Sequence, residues 1–285
     1  MAGATVYEER SVIALMFARR SVAVALTFFL LVLVLVLAAP FIAPADPAAM
    51  SVRQRLTPPG GDYLLGADAF GRDVLSRLLY AGRVSLIIGA GVAILSSVVG
   101  IMIGLLAGFY RRLDGPVSRL IDAMMAFPDI LLAISLVAIL GGSMVNVIIA
   151  LSIVYTPRIA RIVRASTLVV RELPYVEAAR ALGSSTSYVL SRHVLLNIQS
   201  PIIVQATFIF AYAMLAEAGL SFLGVGVDPS TPTWGTMINE GRQFIDQAPF
   251  LILFPGLAIS FSVLSLQLVG DGLRDALDPR IARQM

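Results

Sequence analysis

Residues 84–110 read VSLIIGAGVAILSSVVGIMIGLLAGFY, without one charged side chain. An uncharged apolar run longer than about 18 residues is the length of a helix that crosses a bilayer. Four more runs of this kind occur, at Ser21–Ala45, Ile130–Pro157, His193–Ala216 and Gln247–Gly270. The 285 residues are 58% hydrophobic and 14% charged, with a mean hydropathy of +0.88. Soluble domains carry about 25% charged residues, so the expected class is all-α and polytopic in a membrane.

The basic residues are all arginine, 21 of them, with no lysine. A P-loop requires a lysine to reach the β- and γ-phosphates, so any ATP used by this protein must be bound elsewhere. There is no cysteine and one histidine, which removes thiol chemistry, Cys-ligated clusters and multi-His metal centres. Neither H-E-x-x-H nor G-x-S-x-G occurs. No catalytic residue, metal or cofactor is therefore expected in the chain, and nothing points to nucleic acid.

Gly141-Gly142 divides the third run as a turn would. Extending each helix into its charged flank gives six spans, at about 21–43, 84–110, 117–140, 144–163, 200–223 and 250–270. A secretory signal is the rival reading of the first, but its apolar core exceeds the ~7–15 residues of such signals. With the N-terminus inside, fifteen of the 21 arginines lie on the inner side, as the positive-inside rule requires. The expected layout is a cytoplasmic segment 1–20, the first helix 21–43, an extracytoplasmic segment 44–83, a five-helix core 84–270 and a cytoplasmic tail 271–285. Within the core, 165–198 is a cytoplasmic loop and 224–249 an extracytoplasmic one. Gly100, Gly104 and Gly108 share one face of the second span, a double G-x-x-x-G that admits a neighbouring helix closely.

The cytoplasmic loop contains ELPYVEAARALGSS, residues 172–185. Pro174 suits a first helical position and Gly183 the position after a helix end, so one short helix is expected. Tyr175, Ala178, Ala179 and Leu182 form an apolar stripe at i, i+3, i+4 and i+7, with Glu177 and Arg180 paired on the other side. A helix of about 12–15 Å is too short to stand alone. It needs a surface, either a partner's groove or the lipid interface. Ser184-Ser185 caps a second segment, Thr186–Leu196, that returns to the membrane.

Glu177-Ala178-Ala179-x-x-x-Gly183 resembles the E-A-A-x-x-x-G loop of ATP-binding-cassette importer permeases, with His193 and Leu196 where that pattern closes on Ile and Pro. Leu65-Gly66-Ala67-Asp68-Ala69-Phe70-Gly71-Arg72-Asp73 is similar to the L-G-T-D-x-x-G-R-D stretch of dipeptide, oligopeptide and nickel permeases, with Ala67 for Thr. Pro232-Thr233-Trp234-Gly235 and Gly270–Arg280 resemble further blocks of the same group. The resemblance implies a type I importer fold in a prokaryotic inner membrane, both termini cytoplasmic. It implies a homologous second permease subunit, two ATPase subunits holding ATP and Mg, and an extracytoplasmic binding protein. Tyr175, Glu177, Ala178, Ala179, Leu182 and Gly183 would then form the helix that couples to the ATPases. The cargo implied is a di- or oligopeptide, with nickel chelates, glutathione or another small solute as alternatives.

Polar residues within spans are functional candidates. Asp129, Glu217, Asn146 and Gln205 could line a path, although polar groups also join helices in lipid. An ion-coupled secondary transporter working through Glu217 and Asp129 is the alternative of another class. Arg72 and Trp234, in the long outer segments, are candidate contacts for the binding protein, or parts of a cap that seals the bundle. His193 reads as a packing residue.

Overall fold

A computed structural model describes residues 19–277; the expectations for 1–18 and 278–285, including both terminal segments and Arg280, lie outside the described residues. Among the described residues, nine helices of eight residues or more carry the fold: α1 Arg20–Leu37, α2 Val74–Phe109, α3 Arg111–Met125, α4 Asp129–Leu140, α5 Met144–Val170, α6 Pro174–Ala181, α7 Gln199–Phe222, α8 Trp234–Gly241 and α9 Phe250–Leu277. Five of them, α1, α2, α5, α7 and α9, are long and apolar enough to cross a membrane; α3 with α4 would make a sixth only as a bent pair.

The helix containing the opening stretch starts ten residues before it, at Val74. Asp73 caps it, its carboxylate accepting from the Ser76 N–H at 2.7 Å. Arg77 and Arg83 end the uncharged run without ending the helix, so segment 44–83 is irregular only up to the cap. At about 1.5 Å per residue, 36 residues reach about 54 Å, well beyond a bilayer core of about 30 Å.

Gly100, Gly104 and Gly108 lie against α5. A β-carbon at these positions would come within 2.6 Å of Ile159, Val163 and Thr167 in turn. Two backbones approach so closely only where one helix lacks side chains. One core cluster joins α2, α4, α5 and α7; a second joins α1, α2, α7, α8 and α9. Residues of α2 and α7 belong to both.

The third span is not the continuous helix expected over 117–140. It breaks at 126–128, and α3 and α4 meet at 92°. Pro128 is the cause, because the residue before a proline is pushed out of the helical region. Asp129 is consequently the first residue of α4, not a position deep along one rod that also holds Asp122. The span expected at 144–163 continues to Val170, and the one at 250–270 to Leu277. Thr186–Leu196 is not one helix either: a single α-turn at Thr186–Tyr188 passes into a π-helical turn, Val189–Val194, and then a 3-10 turn, Leu195–Asn197.

Candidate functional site

The arginine-rich end of the bundle carries α6. Leu173 is extended, Pro174 opens the helix, and Gly183 follows it at φ +84°, a conformation that costs glycine little. Val176 is fully buried in the first core cluster beside Val189 and Val194, and Ala179 packs against the same cluster. Leu182 is 87% exposed, Tyr175 42% exposed, and Ala178 and Glu177 also face outward. The apolar stripe thus divides. Tyr175, Ala178 and Leu182 form an open face, whereas Ala179 is turned inward, because a short helix must bury one side to be held at all. Arg180 does not pair with Glu177; its guanidinium lies 5.6 Å from the Phe109 ring at the end of α2. His193 sits between the rings of Tyr175 and Tyr188, at 6.0 and 5.5 Å.

Above this end, three arginines of α5 meet three aspartates of the bent pair. Arg164 pairs with Asp114, Arg161 with Asp122 at 2.5 Å, and Arg158 with Asp129. Spacing of three puts Arg158, Arg161 and Arg164 along one side of a helix, and α3 and α4 follow that side. The top rung differs from the other two. The Arg158 guanidinium lies 5.3 Å from the Tyr155 ring and 5.3 Å from the Tyr212 ring of α7. Asp129 was expected from the sequence; Arg158, Tyr155 and Tyr212 were not. The signal available was the i, i+3, i+6 arginine spacing inside a helix that must be largely buried.

Glu217 does not face a path. It is completely buried, accepting from Ser221 Oγ at 2.7 Å and Ser85 Oγ at 3.4 Å. The Trp234 N–H donates to the same Ser85 Oγ at 3.1 Å, so the carboxylate ties α2, α7 and α8 together. Asn146 donates to the Leu140 carbonyl at 2.5 Å and lines a shallow cavity of about 520 Å³ with Gly142, Gly226 and Asp228. Gln205 lines another cavity, of about 420 Å³, with Phe208 and Arg274. These sites are not brought together with Asp129: the cavities contain neither it nor each other's residues.

Arg72 and Trp234, candidate contacts for the binding protein or parts of a cap, both bond within the chain. Trp234 is buried, with Nε1 donating to the Leu78 carbonyl at 2.9 Å. Arg72 is clamped between Asp68 at 2.6 Å and Glu240 at 2.8 Å, and Arg77 reaches the same two carboxylates at 2.9 and 3.0 Å. Asp68 also accepts from the backbone N–H groups of Phe70 and Arg72 at 2.8 and 3.0 Å, while Gly71 takes φ +74° with no room for a β-carbon beside the Ser51 carbonyl. The Leu65–Asp73 block is therefore a self-contained charged knot that starts α2 and holds α8. Burial pushes the Glu240 carboxyl above its usual range, against the opposing pull of Arg72.

Residues 100–283 match the family described as binding-protein-dependent transport system inner membrane component. The chain belongs to this family. It is thus a multi-pass inner-membrane permease subunit of an ABC importer, a family whose members work with separate partners. It is 51% identical over 263 residues to a putative peptide transport system permease protein of Brucella suis, covering 92% of this chain and 89% of that one. The di/tripeptide transport system permease protein DppC of Pseudomonas aeruginosa is 46% identical, with 90% and 87% covered. The glutathione transport system permease protein GsiD of Pectobacterium atrosepticum is 41% identical, with 93% and 89% covered. Among solved structures, a chain of the inward-facing MetNI methionine ABC transporter has the same fold, with a TM-score of 0.56 at 20% identity over 73% of this chain and 95% of that one.

Proposed function

We propose that this permease imports di- or oligopeptides, together with a homologous second permease subunit, two ATPase subunits that bind ATP and Mg, and an extracytoplasmic binding protein. The observation that carries the mechanism is the division of α6 into a buried side, Val176 and Ala179, and an open side, Tyr175, Ala178 and Leu182. The buried side seats α6 on the Val189–Val194 turn that leads to α7, and the Arg180–Phe109 contact touches it to the end of α2, so a push on the open side is delivered to α7 through that turn and to α2, whose glycine face passes it to α5. In this reading the arginine-rich end is cytoplasmic, and closure of the ATPases on ATP tilts the spans to alternate access. Peptide as cargo draws on the names of the relatives at 46–51% identity; the glutathione transport system permease at 41% supplies the alternative.

Leu182→Asp tests the coupling face, since it buries nothing in the chain itself. The variant should reach the membrane in normal amount and lose peptide uptake by at least about tenfold, equivalent to about 1.4 kcal/mol of docking energy. Wild-type uptake and ATPase stimulation in this variant would reject the face. Uptake of labelled alanyl-alanine in a strain deleted for this chain, restored by the wild-type copy, tests the cargo. Loss of that uptake on ATP depletion, but not on collapsing the proton gradient, separates this reading from an ion-coupled transporter.

A further inference from the structure

The Asp129–Arg158 rung is placed where neither a surface ion pair nor a simple helix clasp needs to be. Arg158 lies fourteen residues from the start of α5, Asp129 eleven from the end of α4, and Tyr212 ten from the end of α7. At about 1.5 Å per residue these are depths of about 21, 17 and 15 Å from the same end of the bundle. The middle of a hydrocarbon core about 30 Å thick lies at about 15 Å. Three elements therefore bring a carboxylate, a guanidinium and two phenol rings together well inside the spans, far from the helix ends at that side.

The rung is also open. The Asp129 and Arg158 side chains are 38% and 31% exposed, and Tyr212 is 38% exposed. Charged groups at this depth do not face lipid; they face a water-filled cavity or protein. The chain here is broken at Pro128, and non-helical backbone at membrane depth is tolerated where it lines a cavity or is buried in protein. Each half of the pair is prepared for life without the other. Asp129 is the first residue of α4, where the helix dipole favours a negative charge. The Arg158 guanidinium lies beside the rings of Tyr155 and Tyr212, which support it whether or not its terminal nitrogen is engaged by Asp129, and its planar fork suits a carboxylate.

We infer that Asp129 and Arg158 form a station for zwitterionic cargo on the transport path, Asp129 receiving the α-ammonium of a peptide and Arg158 its α-carboxylate. This deepens the peptide reading above and rests on it. With no cargo the two side chains neutralise each other and the station is shut. Opening the pair for a solute with one charge leaves the other charge without its counter-ion, a cost that its partial exposure lessens but does not remove. A zwitterion exchanges one internal pair for two external ones, so only a molecule bearing both charges opens it without loss. Two residues of extended chain span at most about 7 Å, within the swing of an arginine side chain.

The rung below supplies the control. Asp122–Arg161 is the same pair type between α5 and the other arm of the bent pair, α3, with no aromatic wall and nearer the arginine-rich end. In the assembled transporter of the native host, Asp129→Asn combined with Arg158→Gln removes the charges together and strands neither. The expected result is normal membrane abundance and normal association with the partner subunits, with alanyl-alanine uptake down about tenfold or more, as loss of a charge-paired contact produces. Asp122→Asn with Arg161→Gln should transport as wild type. Equal uptake by both double variants would overturn the station and leave the rung a structural clasp. If the first double variant fails to accumulate, Asp129→Glu keeps the charge and misplaces it by one methylene. Uptake several-fold below wild type then supports the station, and wild-type uptake overturns it. A wild-type complex that takes up no peptide fails the cargo reading itself, a different outcome from any of these.

Discussion

Two sets of ion pairs hold this chain, and they are built in opposite ways. In the knot at the start of α2, Asp68, Arg72, Arg77 and Glu240 share their bonds, two cations against two carboxylates, each contacting both of the others. Most of its charge is out of water, and backbone N–H groups fill the remaining lone pairs of Asp68. In the ladder along α5 every aspartate has one arginine, and every rung has an open side. Shared, buried pairs cannot be separated one at a time without leaving a naked charge. Single, partly solvated pairs can. The knot is suited to fixing one geometry, and a single, partly open pair such as Asp129–Arg158 to changing partners.

The contrast can be broken most forcefully at the knot. Asp68→Ala removes the acceptor common to both arginines and to two backbone N–H groups, and should destabilise the chain by about 3–5 kcal/mol. Thermal unfolding of the purified transporter in detergent reads this directly; a change no greater than that of a ladder variant would erase the distinction. Glu240→Gln is milder, at about 1 kcal/mol, because burial already disfavours that carboxylate. The sign follows from the raised value: the folded state holds the Glu240 proton more readily than the unfolded chain, so this contribution to stability is full below the ordinary glutamate value and is lost as the pH rises through the raised one. The glutamine variant should flatten that part of the profile of melting temperature against pH. Asp122→Asn is the smallest, within about 1 kcal/mol and diminished further by salt.

Much of this was legible beforehand. Uncharged runs reported membrane helices, because backbone polar groups in hydrocarbon must be satisfied within the segment. The spacing of Gly100, Gly104 and Gly108 reported a close helix contact, and Pro174 with Gly183 bounded α6. The ends of helices were less visible. Hydropathy stops at a charge, whereas α2 continues through Arg83 and Arg77 to a capping aspartate. The site suffered most from this limit. Arg72, Trp234 and Glu217 were conspicuous as residue types, yet the structure spends all three on internal bonds. Arg158 looked like one more positive residue near an inner boundary and proves to lie fourteen residues inside α5, paired with Asp129 and flanked by two tyrosine rings.

What the linear chain determined by itself is local: which segments are apolar enough to cross a bilayer, which turns need proline or glycine, and which chemistries have no residues to support them. Those properties depend on neighbours in sequence and on solvent. Tertiary structure decided the partner of each charge and the direction each helix face looks, including the meeting of Asp129 with Arg158 across the bend that Pro128 makes. Pairing energies depend on distance and burial, and both are set by residues far apart along the chain, such as Asp129 and Arg158 or Ser85 and Glu217, meeting across packed helices.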